Sequence, residues 1–154
     1  MILSLTPAHA TTIAYTDRVS FDAVVGGTTL LTFDTEAFDT DTMHSTSSNT
    51  GRITINTSGT YMIDMNVRFP SATYTEFKLN MRSNSGGSAV GGTSVFLHYA
   101  APTAGSIIHL HRRVNLALTS GNYYEFFVTQ TSGGSRTTTT GNNQTGVTFH
   151  WLCT

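Results

Sequence analysis

The stretch that decides the fold is residues 33–69, FDTEAFDTDTMHSTSSNTGRITINTSGTYMIDMNVRF. Its second half alternates. Tyr61, Ile63, Met65, Val67 and Phe69 fall on one side; Thr60, Met62, Asp64, Asn66 and Arg68 fall on the other. Side chains of an extended chain point to opposite faces with period two, so the pattern predicts a long β-strand over residues 60–69 with one buried face. Thr57-Ser58-Gly59 reads as the turn that feeds it, and Arg52-Ile53-Thr54-Ile55 as a short strand before that turn.

Outward from this stretch the chain stays strand-like. Further strands are expected at 18–21, 28–33, 76–83, 94–99, 107–118, 123–130 and 146–153. Turn chemistry separates them, as at Gly26-Gly27, Gly91-Gly92 and Ser120-Gly121-Asn122. No segment has a convincing helical period. Many short strands at this spacing imply a sandwich or barrel. Residues 1–16 read as an ordered or flexible N-terminal arm and residues 17–154 as one domain. The opening MILSLTPAHATT has no basic start and too short an apolar run for a secretory leader. Residues 131–146, TSGGSRTTTTGNNQTG, are a polar low-complexity loop, either a solvated connection or a contact loop.

Composition removes several classes of function. Only 11% of the 154 residues are charged, the formal net charge is −1, and Lys78 is the only lysine. A chain that neutralises phosphates needs a basic patch, so no nucleic-acid partner is expected. No apolar run approaches the ~20 residues of a membrane-spanning helix, and no membrane partner is expected. Cys153 is the only cysteine, which excludes an intrachain disulfide. It alternates with Phe149 and Trp151 and reads as a small buried apolar residue.

No catalytic constellation is present. There is no phosphate-binding glycine loop entering a helix, no G-x-S-x-G, no H-E-x-x-H and no zinc spacing. The acidic run Asp34, Glu36, Asp39, Asp41 lacks the glycine and terminal glutamate of a calcium loop. It reads as a hydrogen-bonded loop anchored by Phe33 and Phe38. The chain is expected to be no enzyme and to carry neither cofactor nor metal. His109 and His111, two apart on a strand, project from one face. They read as part of a polar face; at a three-fold axis they would also offer six imidazoles to a transition metal.

The pattern Ile53-x5-Gly59-x-Tyr61-x-Ile63-x-Met65 resembles the core signature of the complement C-one-q globular domain, in the superfamily shared with tumour necrosis factor. The family usually carries aromatics where this chain has Ile53, Ile63 and Met65. Leu116-Ala-Leu-Thr-Ser-Gly-Asn-Tyr-Tyr-Glu-Phe-Phe-Val128 resembles a second family element, with Asn122 in the place of an aspartate. The run Thr32-Phe-Asp-Thr-Glu-Ala-Phe-Asp-Thr-Asp-Thr-Met-His44, with Gln130-Thr-Ser-Gly-Gly134 and a final His150-Trp151, is most similar to C-one-q-like modules of bacteriophage virion proteins.

The resemblance implies an all-β, ten-strand antiparallel jelly-roll sandwich that assembles as a homotrimer. It implies that the strands at 60–69, 107–118 and 146–153 share the inner sheet. Their outward face would then meet sister subunits, which makes Asp64, Asn66, Arg68, His109, His111, Arg113 and His150 the candidate trimer interface. The inward face would hold Ile108, Leu110, Val114, Leu116, Leu118, Val147, Phe149, Trp151 and Cys153. Parity also places Arg112 inward, by pairing, snorkelling or a bulge. The function implied is a non-enzymatic structural protein of a phage particle. It would be a trimeric knob at the virion surface that decorates or stabilises the capsid, docked through the arm on the major capsid protein or another virion protein. The alternative is a receptor-binding tip of a tail or fibre that recognises a host surface glycan or protein.

Overall fold

A computed structural model describes residues 10–14, 20–21, 28–69, 77–84, 96–98, 108–130, 136–137 and 145–153. Among these residues there are twelve strand segments and no helix. They are β1 (Ala10–Ala14), β2 (Ser20–Phe21), β3 (Thr28–Leu30), β4 (Phe38–Asp39), β5 (Arg52–Thr54), β6 (Gly59–Phe69), β7 (Phe77–Ser83), β8 (Phe96–His98), β9 (Ile108–Leu118), β10 (Tyr123–Gln130), β11 (Arg136–Thr137) and β12 (Gly146–Cys153). Ten strands were expected. The segment count is higher because six of the twelve are only two or three residues long.

One five-stranded sheet has the order β4-β1-β12-β6-β9. The second has the order β3-β10-β7-β8, with β5 also paired to β10. β3 and β5 share one edge of β10, at Phe127–Thr129 and Tyr123–Glu125 respectively, and β7 takes the other edge. All these pairings are antiparallel, and β6 is flanked by β12 and β9, both distant in sequence.

Alternation on β6 produces the core. Tyr61, Ile63, Met65, Val67 and Phe69 are completely buried, while the residues between them are half-buried. β10 supplies Phe126 and Val128 from the other sheet, β7 supplies Leu79 and Met81, and β12 supplies Val147 and Phe149. Phe126 and Phe149 meet edge-to-face across the two sheets at 6.1 Å, and Tyr61 packs on Phe149 at 6.4 Å. Each such ring contributes roughly 1.5–3 kcal/mol through burial, and each edge-to-face pair about 0.5–1.5 kcal/mol more. Tyr61 also donates its hydroxyl to the Thr57 carbonyl at 2.6 Å, which ties the turn to the strand it feeds. Burial, then the nearby Asp41 charge, pushes the Tyr61 hydroxyl up to about 12.

Gly59 is required by a close approach. A Cβ there would collide with the Trp151 indole and lie 2.6 Å from the Cys153 carbonyl oxygen. The Trp151 indole N–H donates to Ser58 O at 3.4 Å.

Three expectations need correction, and one segment is sharpened. Ala10–Ala14, inside the segment read as an ordered or flexible arm, is a sheet strand. It pairs with β12 from Ala10↔His150 to Ala14↔Gly146, because the free edge of β12 takes a partner and Thr-Thr-Ile suits an extended chain. Cys153 is exposed. The register shifts between Trp151 and Cys153, so the strand's end loses the inward parity that Phe149 keeps. Arg112 is exposed too, although the β6–β9 register runs without a slip through Met65↔Arg112. β9 is the sheet edge, and its inward side reaches solvent there. Phe33 is a buried anchor, but Phe38 is 46% exposed because β4 is the opposite edge of that sheet. Most of the 131–146 loop and the Ile108 side chain lie outside what the structure describes.

Candidate functional site

The outward face of the five-stranded sheet gathers the polar residues that the sequence singled out. Residues directly opposite in an antiparallel ladder share a face. Asp64 lies opposite both Arg113 on β9 and Thr148 on β12, and Thr148 lies opposite Thr12, which lies opposite Phe38. One row therefore crosses all five strands, with an exposed aromatic at one margin and a charged cluster at the other.

Asp64 organises the cluster. It accepts from Arg113 Nε at 2.8 Å and Nη2 at 2.5 Å, and its other oxygen meets His111 Nε2 at 2.7 Å. Burial alone would raise its carboxyl. The hydrogen bonds and charges of Arg113 and His111 outweigh that and hold it below the usual carboxylate range. His109 Nε2 sits 3.5 Å from Asn66 Oδ1. Arg68 lies opposite His109, and its backbone N–H donates to the buried Thr145 hydroxyl at 3.2 Å. His150 is on the same face, half-buried and opposite Met62. All seven candidate residues thus share one sheet face. Among the described residues no group of three or more histidines, cysteines and acids is placed to hold a metal ion.

The 34–50 loop closes on a buried histidine. The His44 side chain has no exposure; its Nδ1 meets Glu36 Oε1 at 2.6 Å and its Nε2 meets Thr50 O at 3.0 Å. Its backbone N–H donates to Asp39 Oδ2 at 2.8 Å, and its ring packs edge-on against Phe33 at 6.3 Å. Asn56 Nδ2 donates to Asp41 O at 2.6 Å and to Thr42 O at 3.1 Å. The acidic run is therefore a set of loop clasps, as its hydrogen-bonded reading expects.

The outward face of the second sheet holds a group that sequence reasoning missed. Glu125 is almost completely buried and accepts from Arg52 Nε at 2.9 Å. Arg52 lies 4.4 Å over the Tyr123 ring. The side-chain hydrogen bond that Arg52 donates to Glu125 raises its guanidinium above its ordinary value, against a smaller desolvation effect. Arg52 lines two cavities, of about 260 and 240 Å³. The Arg52–Glu125 pair spans 73 residues of sequence, which no local pattern reveals.

This architecture is the jelly roll shared by tumour-necrosis-factor-like and complement C-one-q-like domains. The solved structure of murine APRIL at pH 5.0 superposes with a TM-score of 0.68 at 10% identity, covering 94% of this chain and 99% of that one. The globular domain of zebrafish complement 1qA gives 0.58 at 14% identity, with coverages of 94% and 96%. Eiger, a tumour necrosis factor of S. frugiperda, gives 0.53 at 12% identity, with coverages of 93% and 94%. No protein-family profile and no curated protein sequence matches the chain.

Proposed function

We propose that this chain is a non-enzymatic assembly and binding module that works as a homotrimer. The single observation that carries the reading is the Asp64–His111–Arg113 cluster on the outward face of the five-stranded sheet. Charges of both signs at one margin and exposed Phe38 at the other suit a head-to-tail contact around a three-fold axis. The interface consists of Asp64, Asn66, Arg68, His109, His111, Arg113 and His150. Light scattering at neutral pH tests it. A mass of three times 16.6 kDa is expected, and Arg113→Glu should lower it. A monomer at micromolar concentration refutes the trimer.

The trimer is placed on a phage particle as a surface knob that decorates or stabilises the capsid, seated on a virion protein through its N-terminal segment. The 32–44 run and its resemblance to phage virion modules support this placement. Electron microscopy of particles decides it: density on capsid faces supports decoration, and its absence from the particle overturns the virion reading. A second reading, attachment to a host surface, is favoured by the cavities beside Arg52, and density at a tail would support it.

A further inference from the structure

Three histidines share the outward face of the five-stranded sheet with a single acid. His109 and His111 stand two apart on β9, about 7 Å along the strand, and Arg113 continues the same column. His150 on β12 faces the same way, opposite Met62. β6 lies between β9 and β12 and contributes Asp64 and Arg68. The other two strands add no titratable group: β1 places Ala10, Thr12 and Ala14 on this face, and β4 places Phe38. Asp39 has the opposite parity, in register with Thr11, and accepts the His44 backbone N–H. Arg112 also has the opposite parity, on β9. Cys153, opposite Thr60 at the end of β12, is a thiol and gains no charge in acid. Asp64 is thus the only acid on this face among the described residues.

The Asp64 cluster needs no charged imidazole. His111 Nε2 lies 2.7 Å from Asp64 Oδ1, and a neutral ring with its proton on Nε2 makes that bond. Arg113 already gives Asp64 a counter-charge through Nε and Nη2. A proton taken up by His109, His111 or His150 therefore adds a positive charge with no second acid on the face to receive it. Burial raises the Asp64 carboxyl, but the hydrogen bonds and charges of Arg113 and His111 hold it below the usual carboxylate range, so it keeps its charge at pH 5. In a separate subunit water solvates the added charge, since His109 is exposed and the His111 side chain is 55% exposed. In a contact between subunits that water is excluded, and copies of the same face bring their like charges together.

We infer that this face is a proton-gated assembly surface: subunits join while His109, His111 and His150 are neutral, and they separate when acid charges them. The inference concerns regulation of the proposed trimer and rests on that assembly reading. An imidazole kept neutral in the contact takes its proton only after the subunits part, so dissociation binds protons and acid drives it. Histidine is the side chain suited to this between pH 8 and 5. One such imidazole per subunit means three protons per trimer. The dissociation constant then rises about 1,000-fold per unit fall in pH below the imidazole range, and the half-dissociation concentration, which varies as its square root, about 30-fold.

Analytical ultracentrifugation of the full chain, diluted in series at pH 7.5, 6.0 and 5.0 and matched ionic strength, tests the gate across the histidine range. Circular dichroism at each pH reads whether the subunits stay folded. The expected result is a trimer at pH 7.5 whose half-dissociation concentration rises at least about tenfold by pH 5.0, with the fold retained and the trimer regained on neutralisation. The variant His109→Gln/His111→Gln/His150→Gln cannot gain these charges. Its half-dissociation concentration, wherever it lies at pH 7.5, should change by less than about threefold over the same range. The three single variants are the second measurement if the triple one does not assemble, and at least one of them should flatten the slope. A trimer of unchanged strength at pH 5.0 overturns the gate and leaves the assembly reading standing. A slope undiminished in every histidine variant overturns it by assigning the proton elsewhere, and so does loss of the trimer only together with the fold. A monomer at pH 7.5 overturns both the gate and the assembly reading.

Discussion

Replacing His44 by leucine removes the clasp that closes the 34–50 loop, and the cost can be worked from the contacts. The lost bond to Glu36, at 2.6 Å, joins the ring to a carboxylate, a class that contributes about 1.5–3 kcal/mol. Glu36 is 26% exposed and can turn to water, which brings that share toward the lower end. The Thr50 carbonyl keeps the Phe33 N–H at 2.8 Å, so loss of the 3.0 Å contact from His44 leaves no orphan acceptor and costs about 0.5–1 kcal/mol. Leucine refills much of the space against Phe33. The expected destabilisation is about 2 kcal/mol, or roughly 4–8 °C in Tm for a chain of this size. Thermal unfolding followed by circular dichroism reads the total, and amide exchange should rise across residues 34–50 before it rises in β6. A double-mutant cycle with Glu36→Gln isolates the pair and should give a coupling of about 1–2 kcal/mol. Additivity within about 0.3 kcal/mol, or unchanged exchange in the loop, refutes the clasp.

Three further outcomes follow from single contacts. Gly59→Ala should cost about 2–3 kcal/mol by overpacking, because its Cβ meets Trp151 and a backbone oxygen of Cys153. Gly121→Ala, at φ +87° with open space around it, should cost only about 1–2 kcal/mol of backbone strain, and equal losses in urea unfolding would undo the contrast. Tyr61→Phe should cost about 1–1.5 kcal/mol and should delete, from an ultraviolet titration, the tyrosine that ionises at about 12. A phenol raised in the folded state makes stability fall once pH exceeds the ordinary tyrosine value near 10. Asp64→Asn should cost about 1 kcal/mol at pH 7, discounted because Arg113 is 61% exposed. A carboxyl lowered by folding stabilises above its unfolded value and loses that effect as pH falls through its folded one. The difference between variant and parent should therefore narrow as the pH falls below the ordinary carboxylate range.

Period-two alternation carried most of the fold. Residues 60–69 and 146–153 show it, and they form β6 and β12 at or within one residue of those bounds. Alternation fails where a neighbour, not the residue's own parity, sets burial. Arg112 sits on the inward side of an edge strand, and Cys153 follows a register shift; neither condition is written locally. Ala10–Ala14 has too few large side chains to announce a face, and its strand character comes from the open edge of β12. The polar face of β6 and β9 was legible because both strands alternate over their length apart from Arg112. The Arg52–Glu125–Arg82 ladder was not, because each member is an ordinary charged residue until three distant strands align it.

The two outward faces belong to different sheets, and sheets stacked in a sandwich lie about 10 Å apart. Sites so separated, with a close-packed core between them, respond independently to substitution, their effects adding within about 0.3–0.5 kcal/mol. The core between Asp64 and Glu125 is formed by residues such as Met65, Phe126 and Phe149, all completely buried. None of them bears a charge that could couple the faces. Arg113→Glu should therefore break the subunit contact, while Arg52→Gln, which leaves the buried Glu125 without its partner, should destabilise the domain and leave the mass unchanged. If Arg52→Gln lowered the mass as well, the second sheet's outward face would have to touch a neighbouring subunit, and the assignment of assembly to one face alone would fail. Independence of the two readouts is thus the sharpest consequence of placing charge on strand faces instead of in the loops that join them.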